Sequence, residues 1–252
     1  MAVAKSRVTV LIKAYPQPSK VHVETVCCAG VDAGGSWRRL YPIRFRHLTG
    51  DQAFKRWSVV EYAWHPPTQD TRKESNRVHE ESIHVAGYVR KPEERAALCQ
   101  NLVRGSEKEI QESGDSLGLI RPRNVRLRVK RRTQSAVNSI RDRYEAAAAQ
   151  TSLLDKQLAK LQPCPYDFVF VYEDEAGRHT KSCGDWETYA AYFNLRRRYD
   201  DSEVLRHLEK TYCEDYAARG LVFALGNMAK RPRTWQLLGI FPGGDMRQTQ
   251  LL

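Results

Sequence analysis

The chain has 252 residues, of which 41% are hydrophobic and 10% aromatic. This composition excludes a disordered chain and allows one domain or two interlocked lobes. Lysine and arginine outnumber aspartate and glutamate by 41 to 30, giving a net charge of +11, which favours a polyanionic partner such as nucleic acid. No apolar run approaches the roughly 18 residues that would span a bilayer, so no membrane partner is expected.

Short runs of β-branched and aromatic residues predict five strands at the start of the chain. They cover residues 7–13, 21–31, 37–45, 56–64 and 82–90, with a proline-containing loop at 14–20. Short strands separated by glycine and proline turns are typical of a small β-barrel or a strongly bent sheet. The predicted fold class is α+β, with a β-rich, barrel-like lobe at residues 1–91.

A helical and basic connecting segment is predicted at residues 92–162. Pro92 suits the first turn of a helix, and a second helix, a connector and a third helix follow at 107–113, 116–122 and 143–161. An α/β lobe, packed with the first lobe as one unit, is predicted at residues 163–252. It holds a hairpin turning at Gly177, a helix capped by Asp185, a helix ending at Gly220 and two apolar strands.

Residues 121–143 contain nine lysines and arginines but a single carboxylate, Asp142. Within this stretch Val125, Leu127 and Val129 alternate with cations, which predicts a strand with one inward and one outward face. The outward cations suit a phosphate backbone. The candidate contacts are Arg126, Arg128, Lys130 and Arg131. The alternative is a solvated edge strand whose charges prevent aggregation.

A second group combines aromatic and basic residues near the predicted barrel loops. Such a mixture can stack bases and neutralise phosphates. The candidate nucleic-acid contacts are Tyr15, Lys20, Trp37, Arg38, Arg39, Arg44 and Arg46, with Tyr41, Phe45 and His47 nearby. Alternatively, the aromatic members are core residues on one strand face. Asn227 and Lys230 form a further candidate contact in a polar loop between the last two strands, where an ordinary turn is equally compatible.

Asp185 and Glu187 flank Trp186 at the start of a predicted helix. A carboxylate beside an aromatic ring is suited to act on the sugar of a flipped nucleotide. Residues two apart on a helix cannot both face one substrate, so at most one of the two would be catalytic. The alternative is that Asp185 is an N-cap and Trp186 a core residue.

Several expected signatures are absent from the sequence. It contains no nucleotide-binding glycine loop, no HExxH and no GxSxG, and its six cysteines form no CxxC pair. No metal or other cofactor is therefore expected. Reduced thiols in the cytoplasm are the simplest interpretation of the cysteines.

The pieces KAYPQPS, ETVCCAG and WRRLYPIRFR, followed late in the chain by DWE and GN…K.P..W…G.F, resemble a family of basic bacterial proteins associated with anti-phage defence. The resemblance covers both ends of the chain and leaves the middle uncovered. The functional analogy that this resemblance implies is with anti-phage DNA glycosylases, which excise glucosylated hydroxymethylcytosine. The first strands are similar in pattern to PUA-like and ASCH-like barrels, which bind RNA or recognise modified bases.

These observations predict a protein that acts on nucleic acid, with DNA favoured over RNA. The first hypothesis is a DNA glycosylase, a hydrolase of N-glycosidic bonds, that flips out and excises a modified base in anti-phage defence. The alternative is a non-enzymatic reader of modified DNA or of RNA. Release of a base from modified DNA distinguishes the two.

Overall fold

The computed structural model describes residues 3–19, 23–149, 162–229 and 231–244, and three β-sheets form its framework. The first sheet contains six strands in the order β1-β5-β6-β4-β3-β2. Their bounds are β1 Ala4–Lys13, β2 Gln17–Ser19, β3 Val23–Val31, β4 Trp37–Ile43, β5 Ser58–His65 and β6 Ser75–Tyr88. All five predicted runs are therefore strands, the second from Val23 onward because residues 21 and 22 lie outside the described residues, and the predicted 14–20 loop contains β2.

This first sheet is strongly bent, which is one of the two forms that the short strands and their glycine and proline turns predicted. Strand β1 pairs with β5 from Ala4 to Thr9 and with β3 from Thr9 onward. The two halves of β1 therefore have different neighbouring strands, and the sheet curves around β1. The close approach requires glycine at position 30, because a Cβ there would collide with the backbone oxygen of Thr9. The α+β class and the bent N-terminal sheet are confirmed.

A four-stranded sheet has the order β13-β12-β8-β7. Its strands and the neighbouring helices are α1 Pro92–Gln100, β7 Val103–Arg104, α2 Glu107–Glu112, β8 Leu117–Ile120, β12 Leu221–Met228 and β13 Arg231–Pro242. The predicted connector at 116–122 is wrong. Leu117–Ile120 is a fully buried central strand between β12 and β7, because short apolar runs without charges suit a strand buried on both faces.

The third sheet has the order β11-β10-β9. It is formed by β9 Arg123–Arg131, β10 Tyr166–Asp174 and β11 Gly177–Ser182, and α3 Gln134–Ala149 follows β9. The hairpin and its turn at Gly177, which has a φ of 126°, are confirmed. Helix α3 begins nine residues before the predicted start at 143, and the rest of that prediction, residues 150–161, lies outside the described residues.

The last two helices are α4 Trp186–Leu195 and α5 Asp201–Lys210. A π-helical turn at Thr211–Asp215 and a 3-10 turn at Ala217–Arg219 extend α5 to Gly220, whose φ of 70° ends the helix as predicted. In the described part of the chain, no helix has the length and apolar character needed to cross a membrane.

Two cores hold the sheets together. Aromatic side chains of β10, including Phe168 and Phe170, pack against α4 and α5. Leu11 and Ile12 of β1 share a second core with strands of the four-stranded sheet, including Val222 and Phe241. The first sheet therefore packs directly against the C-terminal part of the chain, which positions residues from both in one site.

Candidate nucleic-acid interface

Strand β9 presents a row of three cations on the outer face of the three-stranded sheet. Arg126, Arg128 and Lys130 are exposed, whereas Leu127 between them is only 8% exposed and lies in the aromatic core. The predicted inward and outward faces are confirmed. In the part of the chain that the structure describes, none of these three cations forms an ion pair or a side-chain hydrogen bond. We call them the β9 row.

The carboxylates on the same face already have partners. Asp167 lies opposite Lys130, but it pairs with Arg132 at 2.5 Å. Glu173 accepts a hydrogen bond of 2.7 Å from the Nδ2 of Asn124. Because these partners hold the carboxylates, the β9 row is not neutralised by its own sheet and creates a positive surface potential.

Aliphatic side chains lie beside the β9 row. Val169 is opposite Arg128, and Val171 is opposite Arg126. Val171 is only 3% exposed although it lies on the outer face. Arginine stems can cover apolar surface while the guanidinium stays in water, so burial of Val171 is compatible with free guanidinium groups.

Arg131 is exposed but does not belong to the β9 row. It lies opposite Tyr166, on the other side of the strand from Lys130. Burial and the Asp201 carboxylate raise the pKa of Tyr166, while Arg131 and Arg196 act against this shift. Arg131 therefore faces a mixed polar surface near the end of α4.

A second group of predicted residues meets at the junction between the first sheet and α4. The ring of Trp186 stacks with that of Tyr15 at 6.2 Å between centroids and meets the edge of Phe45 at 5.3 Å. The guanidinium of Arg46 lies 5.6 Å from the Trp186 ring. Tyr15 and Phe45 are each 8% exposed. Tyr15 and Phe45 are therefore core residues, which was the alternative interpretation of the aromatic group. Arg46 and Trp186 are half-buried.

Glu187 lies beside this junction and forms an ion pair with Lys13 at 2.8 Å. The side chain of Glu187 is 37% exposed, whereas that of Lys13 is 7% exposed. Burial alone would raise the pKa of Glu187, but Lys13 and Arg56 outweigh it and hold that pKa below its ordinary value. Glu187 is therefore an ionised carboxylate that solvent reaches.

Asp185 has a different environment, although it is only two residues away. Its side chain caps α4 through the backbone N–H of Glu187, has no exposed surface, and accepts a 2.6 Å hydrogen bond from Arg56. Arg56 also donates to the carbonyl oxygens of Leu11, at 3.0 Å, and Ile240, at 2.7 Å. Burial raises the pKa of Asp185 to about 6, against the opposing effect of Arg56.

The predicted N-cap is therefore confirmed for Asp185. The predicted catalytic role loses its geometric basis, because a substrate atom cannot reach a carboxylate that has no accessible surface. Asp185 instead joins α4 to the first sheet, and Ala14 forms a β-bridge with it.

Arg39 also needs correction as a nucleic-acid contact. It is 3% exposed, and its guanidinium donates to the Oγ of Ser116 at 3.0 Å and to the carbonyl oxygens of Ser116 and Asn227 at 2.6 and 3.2 Å. Glu74, which is 5% exposed, balances its charge at 3.4 Å. With its donors bound inside the protein, Arg39 does not present them to a phosphate.

The other predicted basic residues of the first sheet lie apart from one another. Arg38 pairs with Asp32 at 2.9 Å, and Arg44 pairs with Glu80 at 2.7 Å. Trp37 lines a cavity on the side of the sheet that faces α1 and α2. The structure therefore brings Tyr15 and Arg46 together with Trp186, but it does not gather all the predicted contacts into one surface.

Asn227 lies near the end of strand β12, and hydrogen bonds inside the protein hold it. Its Nδ2 donates to the carbonyl oxygen of Pro232 at 3.0 Å, and its backbone oxygen accepts from Arg72 at 3.0 Å. These internal contacts are sufficient to account for Asn227 without a nucleic-acid partner. Lys20 and Lys230 lie outside the described residues.

Arg56 and Glu74 are the important polar residues that the sequence did not reveal. Arg56 lies at the start of a predicted strand, and Glu74 lies in a charged segment, so both resemble surface residues. Their partners are distant in sequence: Asp185 for Arg56 and Arg39 for Glu74. No local pattern encodes such pairings.

All six cysteines are free thiols. Among the described residues, no three His, Cys, Asp or Glu side chains are close enough together to bind one metal ion.

The fold and the β9 row define an α+β protein with a bent N-terminal sheet and a basic outer face on its third sheet. Residues 98–251 match the Domain of unknown function (DUF8757), and the chain belongs to this family. Residues 4–101 match a second family, the Domain of unknown function (DUF8758). The two matches meet at the end of α1. No curated protein matches the chain.

Proposed function

We propose that the protein binds nucleic acid through the β9 row. The observation that carries this proposal is the set of three exposed, unpaired cations on one face of a sheet. Phosphate contacts from such cations give affinity and orientation without reading sequence. DNA is favoured over RNA, and recognition of a modified base belongs to the same proposal, as does a PUA-like or ASCH-like character of the bent first sheet.

The test removes the charge of the β9 row in an Arg126→Gln, Arg128→Gln, Lys130→Gln triple variant. Each lost phosphate contact should reduce the slope of log K against log salt by roughly 0.7 to 0.9. Fluorescence anisotropy with labelled single-stranded DNA, duplex DNA and RNA at several salt concentrations measures this slope. The expected reduction is about 2 to 3 in total, and the nucleic acid with the largest change is the preferred partner.

A second triple variant is the matched control. Lys91, Lys108 and Arg206 have side chains that are 75%, 72% and 73% exposed, and each is near a carboxylate on its own helix. Changing these three to Gln removes the same total charge from another surface. Equal slopes for both triple variants, or an unchanged slope for a folded β9 variant, would contradict the proposal.

A DNA glycosylase is the second candidate function, and the accessible Glu187 beside Trp186 favours it over the buried Asp185. In this reaction the bond between the base and C1′ of the sugar breaks, and a water oxygen bonds to C1′. One proton of that water stays on the new hydroxyl group at C1′, and the second proton is transferred to the departing base. Glu187 would take this second proton from the attacking water and be returned to its ionised form when the proton reaches the base, or it would stabilise the positive charge that develops on the sugar.

Glu187→Gln tests this candidate. If Glu187 is catalytic, the variant should release base from modified DNA at least about a hundredfold more slowly. Alkali cleavage at abasic sites, measured on modified and unmodified DNA, gives the rate. Base release by wild type with an unaffected Glu187→Gln variant would exclude Glu187. Lack of base release by wild type on every modified DNA would leave the non-enzymatic reader.

The role in anti-phage defence remains part of this proposal, supported by the resemblance of the sequence motifs. A location in the cytoplasm fits the six free thiols, because a reducing compartment keeps cysteines unpaired.

A further inference from the structure

A cavity of about 420 Å³ lies between the first sheet and the segment that contains α1, α2 and β8. It is separate from the β9 row and from Glu187, neither of which lines it. Small-molecule sites usually measure about 300 to 1,000 Å³, so this cavity has room for a nucleotide but not for a folded polymer. Residues from both matched segments line it, including Trp37 from one and Ser116 from the other.

A buried carboxylate on the cavity wall is held in one position. Glu74 is 5% exposed, and its Oε1 accepts hydrogen bonds from Arg39 and from the hydroxyl of Ser116. Within the described part of the chain, Oε2 of Glu74 accepts no hydrogen bond. The Arg39 guanidinium lies 3.4 Å from Oε1 of Glu74, which leaves Oε2 as the oxygen without a partner among the described residues. An oxygen of this kind selects a ligand that carries an N–H donor.

Two further groups on the cavity wall have unused hydrogen-bonding capacity. The indole of Trp37 is half-buried, and the side-chain amide of Asn101 is exposed at the end of α1. Among the described residues, neither side chain forms a hydrogen bond. An indole offers a flat ring and a donor, and an amide offers both a donor and an acceptor. A carboxylate, an amide and an aromatic ring are the groups with which proteins recognise an extruded base.

Cations also line the cavity. Lys73 pairs with Asp115 at 2.6 Å, and the Nη1 of Arg104 donates to backbone carbonyl oxygens at 3.2 and 3.4 Å. Arg38 pairs with Asp32, which lies outside the cavity wall. Arg104 also pairs with Glu109 at 3.9 Å, so each of the three cations already has a carboxylate partner and the groups that remain for a ligand are those of Glu74, Trp37 and Asn101.

We propose that this cavity binds the base of a single nucleotide. The Oε2 of Glu74 accepts an N–H of the base, and Trp37 and Asn101 contact its ring and its edge. The base belongs either to a free mononucleotide or to an unpaired nucleotide of a strand, since both present the same chemistry. The strand-borne case rests on the proposed nucleic-acid function, whereas binding of a free mononucleotide does not.

The experiment titrates the full chain with each of the four deoxynucleoside monophosphates by isothermal titration calorimetry. Asn101→Ala changes an exposed residue, and Glu74→Gln keeps the shape of the carboxylate while removing its charge. Asn194→Ala is the matched control, because Asn194 is an exposed asparagine of α4 that does not line the cavity. Loss of a hydrogen bond to a charged group should weaken binding by about tenfold or more in Glu74→Gln. Asn101→Ala should weaken it by several fold.

A second arm uses a DNA hairpin that contains one unpaired base and a fully paired control hairpin. If Asn101→Ala weakens binding of the hairpin with the unpaired base but not of the paired hairpin, and Asn194→Ala weakens neither, the ligand is an unpaired nucleotide of a strand. Mononucleotide binding that is lost in Asn101→Ala assigns it to a free nucleotide. If neither the mononucleotides nor the unpaired base distinguishes Asn101→Ala from Asn194→Ala, the cavity proposal is overturned. Failure of the proposed nucleic-acid binding by the β9 row is recognised separately, by an unchanged salt slope in the β9 triple variant.

Discussion

The arginines of β9 and the arginines in the protein interior have the same side chain but different roles. Arg126 and Arg128 are exposed and unpaired, whereas Arg39 and Arg56 donate to carboxylates and carbonyl oxygens in the interior. A buried cation needs a partner because leaving water costs several kcal/mol. The comparison shows that charge counted along a sequence includes cations that never meet an external ligand.

The largest effect is expected when an interior arginine is removed. Arg56→Ala leaves the carboxylate of Asp185 in the interior without its ionic partner, which should lower the free energy of unfolding by about 3 to 5 kcal/mol. Urea denaturation at pH 7 measures the loss. Arg128→Ala is the control. A loss below about 1 kcal/mol in Arg56→Ala would show that solvent reaches this pair.

The second expected effect is a pH dependence specific to the interior pair. Burial raises the pKa of Asp185 to about 6, against 3.8 as its ordinary value. The folded state therefore binds a proton more tightly than the unfolded state between these two values, and stability should rise as the pH falls from about 6 toward 3.8.

Asp185→Asn isolates this contribution because asparagine retains the helix cap but cannot titrate. The difference in unfolding free energy between wild type and Asp185→Asn should increase as the pH is lowered through 6. Parallel pH profiles for the two proteins would mean that the carboxyl group of Asp185 has its ordinary pKa in the fold.

A pair at intermediate burial should give an intermediate effect. Glu187 is 37% exposed and its partner Lys13 is 7% exposed, so Glu187→Gln should cost about 1 kcal/mol of stability. Glu112→Gln removes the carboxylate of the largely exposed pair with Lys108 and should cost less than about 0.5 kcal/mol. Thermal unfolding compares the two. Equal losses of stability in Glu187→Gln and Glu112→Gln would show that burial does not determine how much an ion pair stabilises this fold.

The smallest stability effect is expected on β9 itself. The Arg126, Arg128 and Lys130 glutamine variants should each change the unfolding free energy by less than about 0.5 kcal/mol, because an exposed, unpaired cation contributes little to the fold. The same urea denaturation detects the change. A loss above about 1 kcal/mol per residue would show that these stems cover Val171 and stabilise the sheet.

Much of the fold followed from periodicity. The alternation around Leu127 predicted both the strand and its exposed face, and Gly177 and Gly220 marked a turn and a helix end. Strand β8 was missed because Leu117–Ile120 has four apolar residues or glycine in succession and no alternation. A strand buried on both faces lacks the polar positions on which the prediction relied.

The site was predictable only where local spacing determined it. Asp185 was correctly placed as an N-cap because capping depends on the next two or three residues. Its pairing with Arg56 depends on packing between segments that are 129 positions apart. For the same reason Arg39, which is adjacent to Arg38 in sequence, could not be distinguished from a surface arginine.

The Arg56 pair also has a consequence for inheritance. Arg56 lies in the segment that matches one family and Asp185 in the segment that matches the other. A chimaera that joins this first segment to an unrelated second segment would bury the guanidinium of Arg56 without the carboxylate of Asp185. The new segment would have to supply a carboxylate at the same position. Recombination at the end of α1 would separate Arg56 from Asp185. The two segments are therefore expected to be inherited as one unit.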